Sequence, residues 1–202
     1  DMIARVWPGD EGAKRAALGD WRTMPFAAAG YDAVIGDNCL AFLSYPDGLE
    51  QVVAQVRRVL RPDGLAVFRV FVAPQTPPSD DDLIRFAYSL KGKSQDAFRW
   101  RIAMHTANCA PTPNVLANDV WLEFRRLFPK PEELLRANCW EEGSFSVLEL
   151  YRGSEMMISF PTVDELSGVA LRQFGQMDLH SSGDYPMSEH CPFVVLRGFA
   201  AT

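Results

Sequence analysis

The chain has 202 residues, enough for one domain with a sizeable core and an inserted subdomain. Apolar residues make up 48% and charged residues 23%, which places it among soluble globular proteins. A net charge of −6 and a pI near 5.1 weigh against a nucleic-acid backbone as partner. No apolar run is long enough to span a membrane, and DMIARVWPGDEG lacks the order of a secretory leader. Cys39, Cys109, Cys139 and Cys191 are dispersed without a CxxC pair, which excludes a recognisable zinc ribbon or redox dithiol and points to a reducing, cytoplasmic setting.

In chain order, DMIARVW reads as the end of a helix closed by Pro8-Gly9, and Ala16-Ala17-Leu18 as a short buried strand ending at Gly19-Asp20. A loop runs through Pro25 and Gly30 to a second apolar run, Ala33-Val34-Ile35. The clearest helix follows. Asp47 and Glu50 form a capping-box pair, and Leu49, Val52, Val53, Val56, Val59 and Leu60 share one face. Arg57, Arg58 and Arg61 crowd its C-terminal end, where the helix dipole favours cations. Pro62-Asp63-Gly64 closes it in a tight turn, and residues 65–72 form a strand rich in branched and aromatic side chains. This alternation predicts a parallel sheet covered by helices, with its strands buried on both faces.

After the Pro-rich hinge PQTPPSDDD the pattern turns helical. Ser79 caps one helix and Ser94 a second, in which Phe98, Ile102 and His105 share a face. Leu116, Val120, Trp121, Phe124, Leu127 and Phe128 mark a third, and Pro131 opens a fourth. The tail returns to mixed structure: a strand at 156–160, a Thr162/Glu165 capping box, a helix ended by Gly175, and an antiparallel pair around 177–181 and 193–199. Three parts follow: 1–78, a partial Rossmann-like α/β core; 79–154, a mainly helical insertion or lid; 155–202, a helix and antiparallel strand pair completing the sheet.

Ligands of open parallel sheets bind outside the carboxyl ends of the strands. Two such ends carry polar triplets, Gly19-Asp20-Trp21 and Gly36-Asp37-Asn38. A glycine admits close backbone approach, an aspartate accepts hydrogen bonds, and Trp21 offers a flat face, which together suit a planar ligand with amino donors. The ordinary alternative is that each Gly-Asp opens a loop.

The stretch from Ala16 to Phe71 resembles the middle of a class I S-adenosylmethionine-dependent methyltransferase. The likeness rests on Gly19-Asp20-Trp21 with Met24-Pro25-Phe26, on Tyr31-Asp32-Ala33-Val34, and on RVLRPDG at 58–64. It implies an α/β, doubly wound Rossmann-like sheet with a helical lid inserted after the fifth strand, S-adenosylmethionine as cofactor, and methyl transfer to a small organic molecule. Asp20 would accept from the adenine amino group and Trp21 would pack on the ring. Gly36, Asp37 and Asn38 would line the methionine half of the crevice, followed by Cys39 and Leu40. The family's GxGxG loop is absent from the sequence, so the expectation is a longer native protein carrying that strand–helix–strand unit.

His105 is the candidate general base, with packing on an apolar helix face as its plainer role. His180, His190 and Cys191 have no recognised metal spacing, so no metal is expected. Arg99-Trp100-Arg101 could take an anion, but a solvated face with one buried aromatic explains it as well. Two further readings stay open: a non-catalytic binding module on the cofactor fold, favoured by the missing glycine loop, and a nucleotide-dependent oxidoreductase, disfavoured by RVLRPDG and the Asp-Trp pair.

Overall fold

A computed structural model describes residues 15–200 together with Gly9 and Gly12. The expected helix end at 1–7 lies outside the described residues. Strand β1 (Tyr31–Asp37) leads through helix α1 (Asp47–Val59) to β2 (Leu60–Arg69), and β1 and β2 pair in parallel. Later strands β5 (Phe174–His180) and β6 (Phe193–Phe199) complete a sheet ordered β1-β2-β6-β5, with β6 antiparallel to both neighbours. The antiparallel tail pair therefore joins the sheet as expected, although β5 begins at Phe174. The preceding helix, Val163–Ala170, ends sooner than Gly175 suggested.

Between β2 and β5 lies the helical segment: α2 (Asp80–Tyr88), α3 (Gln95–Asn108), α4 (Ala117–Leu127), α5 (Pro131–Asn138) and α6 (Ser146–Leu150). Strands β3 (Asn114–Leu116) and β4 (Met157–Ser159) form a separate antiparallel pair, and Val163–Ala170 is α7. Side-chain chemistry sets the helix starts. Ser79 accepts from the Asp82 amide in a full capping box, Ser94 accepts from Asp96, and Thr162 with Glu165 forms a second box. Asp47 is not a cap: α1 begins at Asp47 itself, one residue past Pro46, and Glu50 turns outward to pair with Arg172.

Two apolar cores result. One lies between the sheet and its helices, where Leu49, Val52, Val53 and Val56 of α1 meet Ala66, Phe68, Leu166 and Val194. The other fills the helical segment around Phe98, whose ring lies within 6.3 Å of those of Phe124, Phe128, Trp140 and Phe145. These aromatics at helical spacing are core.

Three expectations are corrected. Residues 16–18 take no regular structure, and Leu18 is 91% exposed, so the run is not a buried strand. Strand β1 is not buried on both faces. It is an edge strand with Ile35 80% exposed. The RPDG segment is a bulge inside β2: Tyr31 faces Leu60 and Ala33 faces Leu65, so residues 61–64 loop out opposite Asp32. Gly64 is required there, since a Cβ would stand 3.0 Å from the Asp32 carbonyl oxygen. Phe98 is fully enclosed, so Phe98→Ala is expected to cost about 3–5 kcal/mol, read as a lower denaturant midpoint at unchanged slope.

Candidate functional site

The loop of residues 19–30 has little regular structure, so something else must hold it. Arg58, near the C-terminus of α1, does so. Its guanidinium donates to the Met24 carbonyl at 2.8 Å, the Phe26 carbonyl at 2.7 Å and the Gln55 side chain. The Ala29 and Gly30 amides donate to the last carbonyls of α1, those of Arg58 and Val59. The other two arginines have separate partners: Arg61 pairs with Asp32, and Arg57 stacks over the Phe199 ring.

Held in this way, Gly19, Asp20, Trp21, Met24, Pro25 and Phe26 line one side of a cavity of about 310 Å³. The other side is Val34 and Ile35 of β1 with Val52 and Val56 of α1. A neighbouring hollow is bordered by Gly19, Asp20 and Trp21 together with Cys39, Phe42 and Gly48. Asp20 caps the short turn Trp21–Thr23 by accepting from the Arg22 amide, and the Arg22 side chain forks onto both of its oxygens. That fork holds the Asp20 carboxyl at about 2, below its usual 3.8, so it is an anionic acceptor throughout the physiological range. Its ionic contribution is complete above 3.8 and fades only as pH falls through about 2.

The second triplet is built differently. Asp37 is clamped by Arg69 of β2, at 2.6 and 2.9 Å, across the parallel pair. Gly36 is dictated by packing: a Cβ would stand 2.6 Å from the Phe68 ring and 2.7 Å from the Cys39 sulfur. Asn38 takes a left-handed conformation, φ 53°, and its enclosed Oδ1 has no hydrogen-bond partner. The three residues line neither hollow that borders Asp20. The structure thus gathers Gly19, Asp20 and Trp21 onto one pocket and sets Gly36, Asp37 and Asn38 beside it, next to Arg69.

Arg69 opens onto a third cavity of about 220 Å³, between the end of β2 and helix α3, with Phe71, Trp100, Tyr185, Met187 and Cys191 in its wall. Trp100 stacks on Phe71 at 4.4 Å, and Arg99 pairs with Asp96, so the Arg-Trp-Arg run is mainly structural. His105 borders none of these cavities. It is buried, with Nε2 at 3.1 Å from Asp80 Oδ1 and 3.3 Å from Glu123 Oε1. Sequence spacing gave no sign of this cluster, because its members come from three helices. The loop-holding role of Arg58 was also missed: it was read as a helix-dipole cation and as the first residue of RVLRPDG.

Residues 2–68 match the methyltransferase domain family. Over these residues the chain is similar to a methyltransferase domain. The family's cofactor is S-adenosylmethionine. No curated protein is significantly similar to the chain in sequence. Among solved structures, a Pyrococcus horikoshii protein is 13% identical with a TM-score of 0.45, covering 90% of this chain and 58% of its own. An S-adenosylmethionine-dependent methyltransferase from Methanosarcina mazei is 12% identical with a TM-score of 0.46, covering 92% of this chain and 67% of its own. A [4+2]-cyclase is 11% identical with a TM-score of 0.32, covering 92% and 57% respectively. The chain thus spans roughly three fifths of the length of these structures. No helix among the described residues is long and apolar enough to cross a membrane.

Two measurements check this geometry. Arg58→Ala removes a charged donor shared by two carbonyls and is expected to cost about 2–3 kcal/mol, with Arg58→Lys recovering little because an ammonium cannot span both. Burial pushes the Cys39 thiol up to about 11 and Cys191 to about 12, while Cys139 is exposed. Alkylation at pH 8 followed by peptide mass mapping is expected to label Cys139 first and to leave Cys39 and Cys191 unmodified in the folded protein.

Proposed function

We propose that this domain takes part in S-adenosylmethionine-dependent methyl transfer to a small organic molecule. The observation that carries the proposal is the pocket on which Asp20, Trp21, Met24 and Phe26 converge, within the segment that matches the methyltransferase family. The residues present fit the adenine end of the cofactor: a flat apolar slot with one fixed anionic acceptor at its rim. Asp20 would accept from the exocyclic amino group, with Arg22 yielding one oxygen of an exposed, weakly held pair. Trp21 and Phe26 would cover the ring. Gly36, Asp37 and Asn38 are proposed for the methionine half, where the partnerless Asn38 Oδ1 is an acceptor in need of a donor.

When bound, the cofactor supplies an electrophilic methyl group on a sulfonium. The chain's own task is to orient the nucleophile in line and keep water away. The cavity at Arg69, Phe71, Trp100 and Tyr185 is the proposed substrate pocket, with the helical segment 79–154 as its lid. Its aromatic walls and single arginine favour a small organic substrate over a polymer, and the net charge of −6 disfavours nucleic acid. His105 stands apart from this cavity, so the proposal does not route a proton through it. Four free thiols among the described residues support a reducing, cytoplasmic setting.

The ribose-binding and glycine-loop elements of the family have no counterpart around this pocket among the described residues. Among the described residues β1 is the edge of the sheet, where a further strand would bring them. A non-catalytic cofactor-fold module is therefore the second reading. Calorimetric titration with S-adenosylhomocysteine separates the two. Binding that Asp20→Ala weakens roughly tenfold supports the first. Unchanged affinity in Asp20→Ala removes that residue from the site, and no binding by the full-length protein supports the module.

A further inference from the structure

His105 lies on α3 in the helical segment, with only 3% of its surface exposed. A buried imidazole needs a polar reason to be there. Nδ1 has none, being enclosed without a hydrogen-bond partner. The ring's polar engagement is through Nε2, which points at Asp80 Oδ1 on α2 and Glu123 Oε1 on α4, at 3.1 and 3.3 Å. One N–H cannot serve two carboxylates well. The three ligand atoms come from three different helices and lie within 4.8 Å of one another. A first-row divalent ion bound about 2.0–2.2 Å from nitrogen and oxygen donors sets those donors roughly 3.0–3.5 Å apart. The two measured separations fall in that range.

Arg126 closes the outer side. It reaches Asp80 Oδ2 at 2.7 Å and, through Nε, Glu123 Oε2 at 2.7 Å, the oxygens turned away from the imidazole. It also touches Glu123 Oε1 at 2.6 Å, a contact that an ion would replace. With the imidazole neutral, two carboxylates against one guanidinium leave the cluster with one surplus negative charge. Arg126 can keep both outer oxygens and orient the carboxylates from behind, as outer partners do at metal sites. Asp80 is 45% exposed, so the cluster has an entry path from solvent.

We infer that Asp80, His105 and Glu123 form a divalent transition-metal site that ties α2, α3 and α4 together. The inference does not rest on methyl transfer. An imidazole with two carboxylates suits zinc-like ions, and the nitrogen donor disfavours magnesium and calcium. Three protein ligands leave a fourth position for water.

The test is a Co²⁺ titration of the metal-stripped, full-length protein, followed by visible absorption. The expected result is a set of d–d bands that saturates at one ion per chain and is displaced by Zn²⁺. Asp80→Asn and His105→Ala are expected to weaken binding by at least about tenfold, with circular dichroism reporting that each remains folded. Zn²⁺ should raise the melting temperature of the parent but not of Asp80→Asn, a readout that stands if His105→Ala fails to fold. Absence of bands at millimolar Co²⁺ overturns the inference. So do bands that persist in both variants, or a near-ultraviolet sulfur-to-cobalt transition, which would put the ion on a cysteine instead.

Discussion

The Arg58 guanidinium is the contact on which the candidate site depends. A loop that makes neither helix nor strand must find partners for its carbonyls elsewhere. Here two of them, at Met24 and Phe26, are gathered by one side chain anchored in α1. Because α1 is fixed to the sheet by its valine face, the loop inherits the rigidity of the core. Asp20 and Trp21 are thereby held over a defined hollow. The same helix end takes up the Ala29 and Gly30 amides, so chain entry into β1 and chain exit from α1 are tied at one place.

The two cores divide the labour. The sheet core fixes strand ends and the loop beyond them. The helical core surrounds Phe98 and supplies the wall opposite β2. They adjoin just past the end of β2, where Val70 and Val72 belong to the sheet core and Phe71 between them stacks on Trp100 of the helical core. Asp37 and Arg69 face each other across the same end of the sheet, so the charge set down by one strand is neutralised by its neighbour rather than left to solvent. That pairing gives the polar end of β1 a structural cause, alongside any role in holding a ligand.

Much of this was legible in the residues, and the reason is locality. Caps at Ser79, Ser94 and Thr162 act within three residues, and the valine stripe of α1 needs only the helical period. Both can be read without knowing the fold. The errors lie where the decisive partner is distant. Ala16-Ala17-Leu18 has the composition of a strand, yet it takes no regular structure and leaves Leu18 exposed. RPDG has the composition of a turn, yet the ladder resumes after it and makes it a bulge. Asp47 looked like a cap until Pro46 proved to be the last residue before the helix. Arg58 and the Asp80–His105–Glu123 cluster were invisible because their partners lie 25 to 34 residues away or on other helices. At the candidate site, Asp20 and Trp21 were proposed by motif, whereas the packing demand for Gly36 needed the positions of Phe68 and Cys39.

The edge position of β1 has a kinetic consequence. In a parallel ladder, successive backbone amides of a strand point alternately to its two sides. Those of β1 that face β2 are held in the sheet, while the alternate ones face outward with no strand among the described residues to receive them. Solvent hydrogens should therefore exchange along β1 with a period of two, fast and slow by turns. Strand β2, flanked on both sides, should be slow throughout. Any chain that came to lie along β1 would erase the alternation, so the strand carries its own reporter of whether its edge is covered.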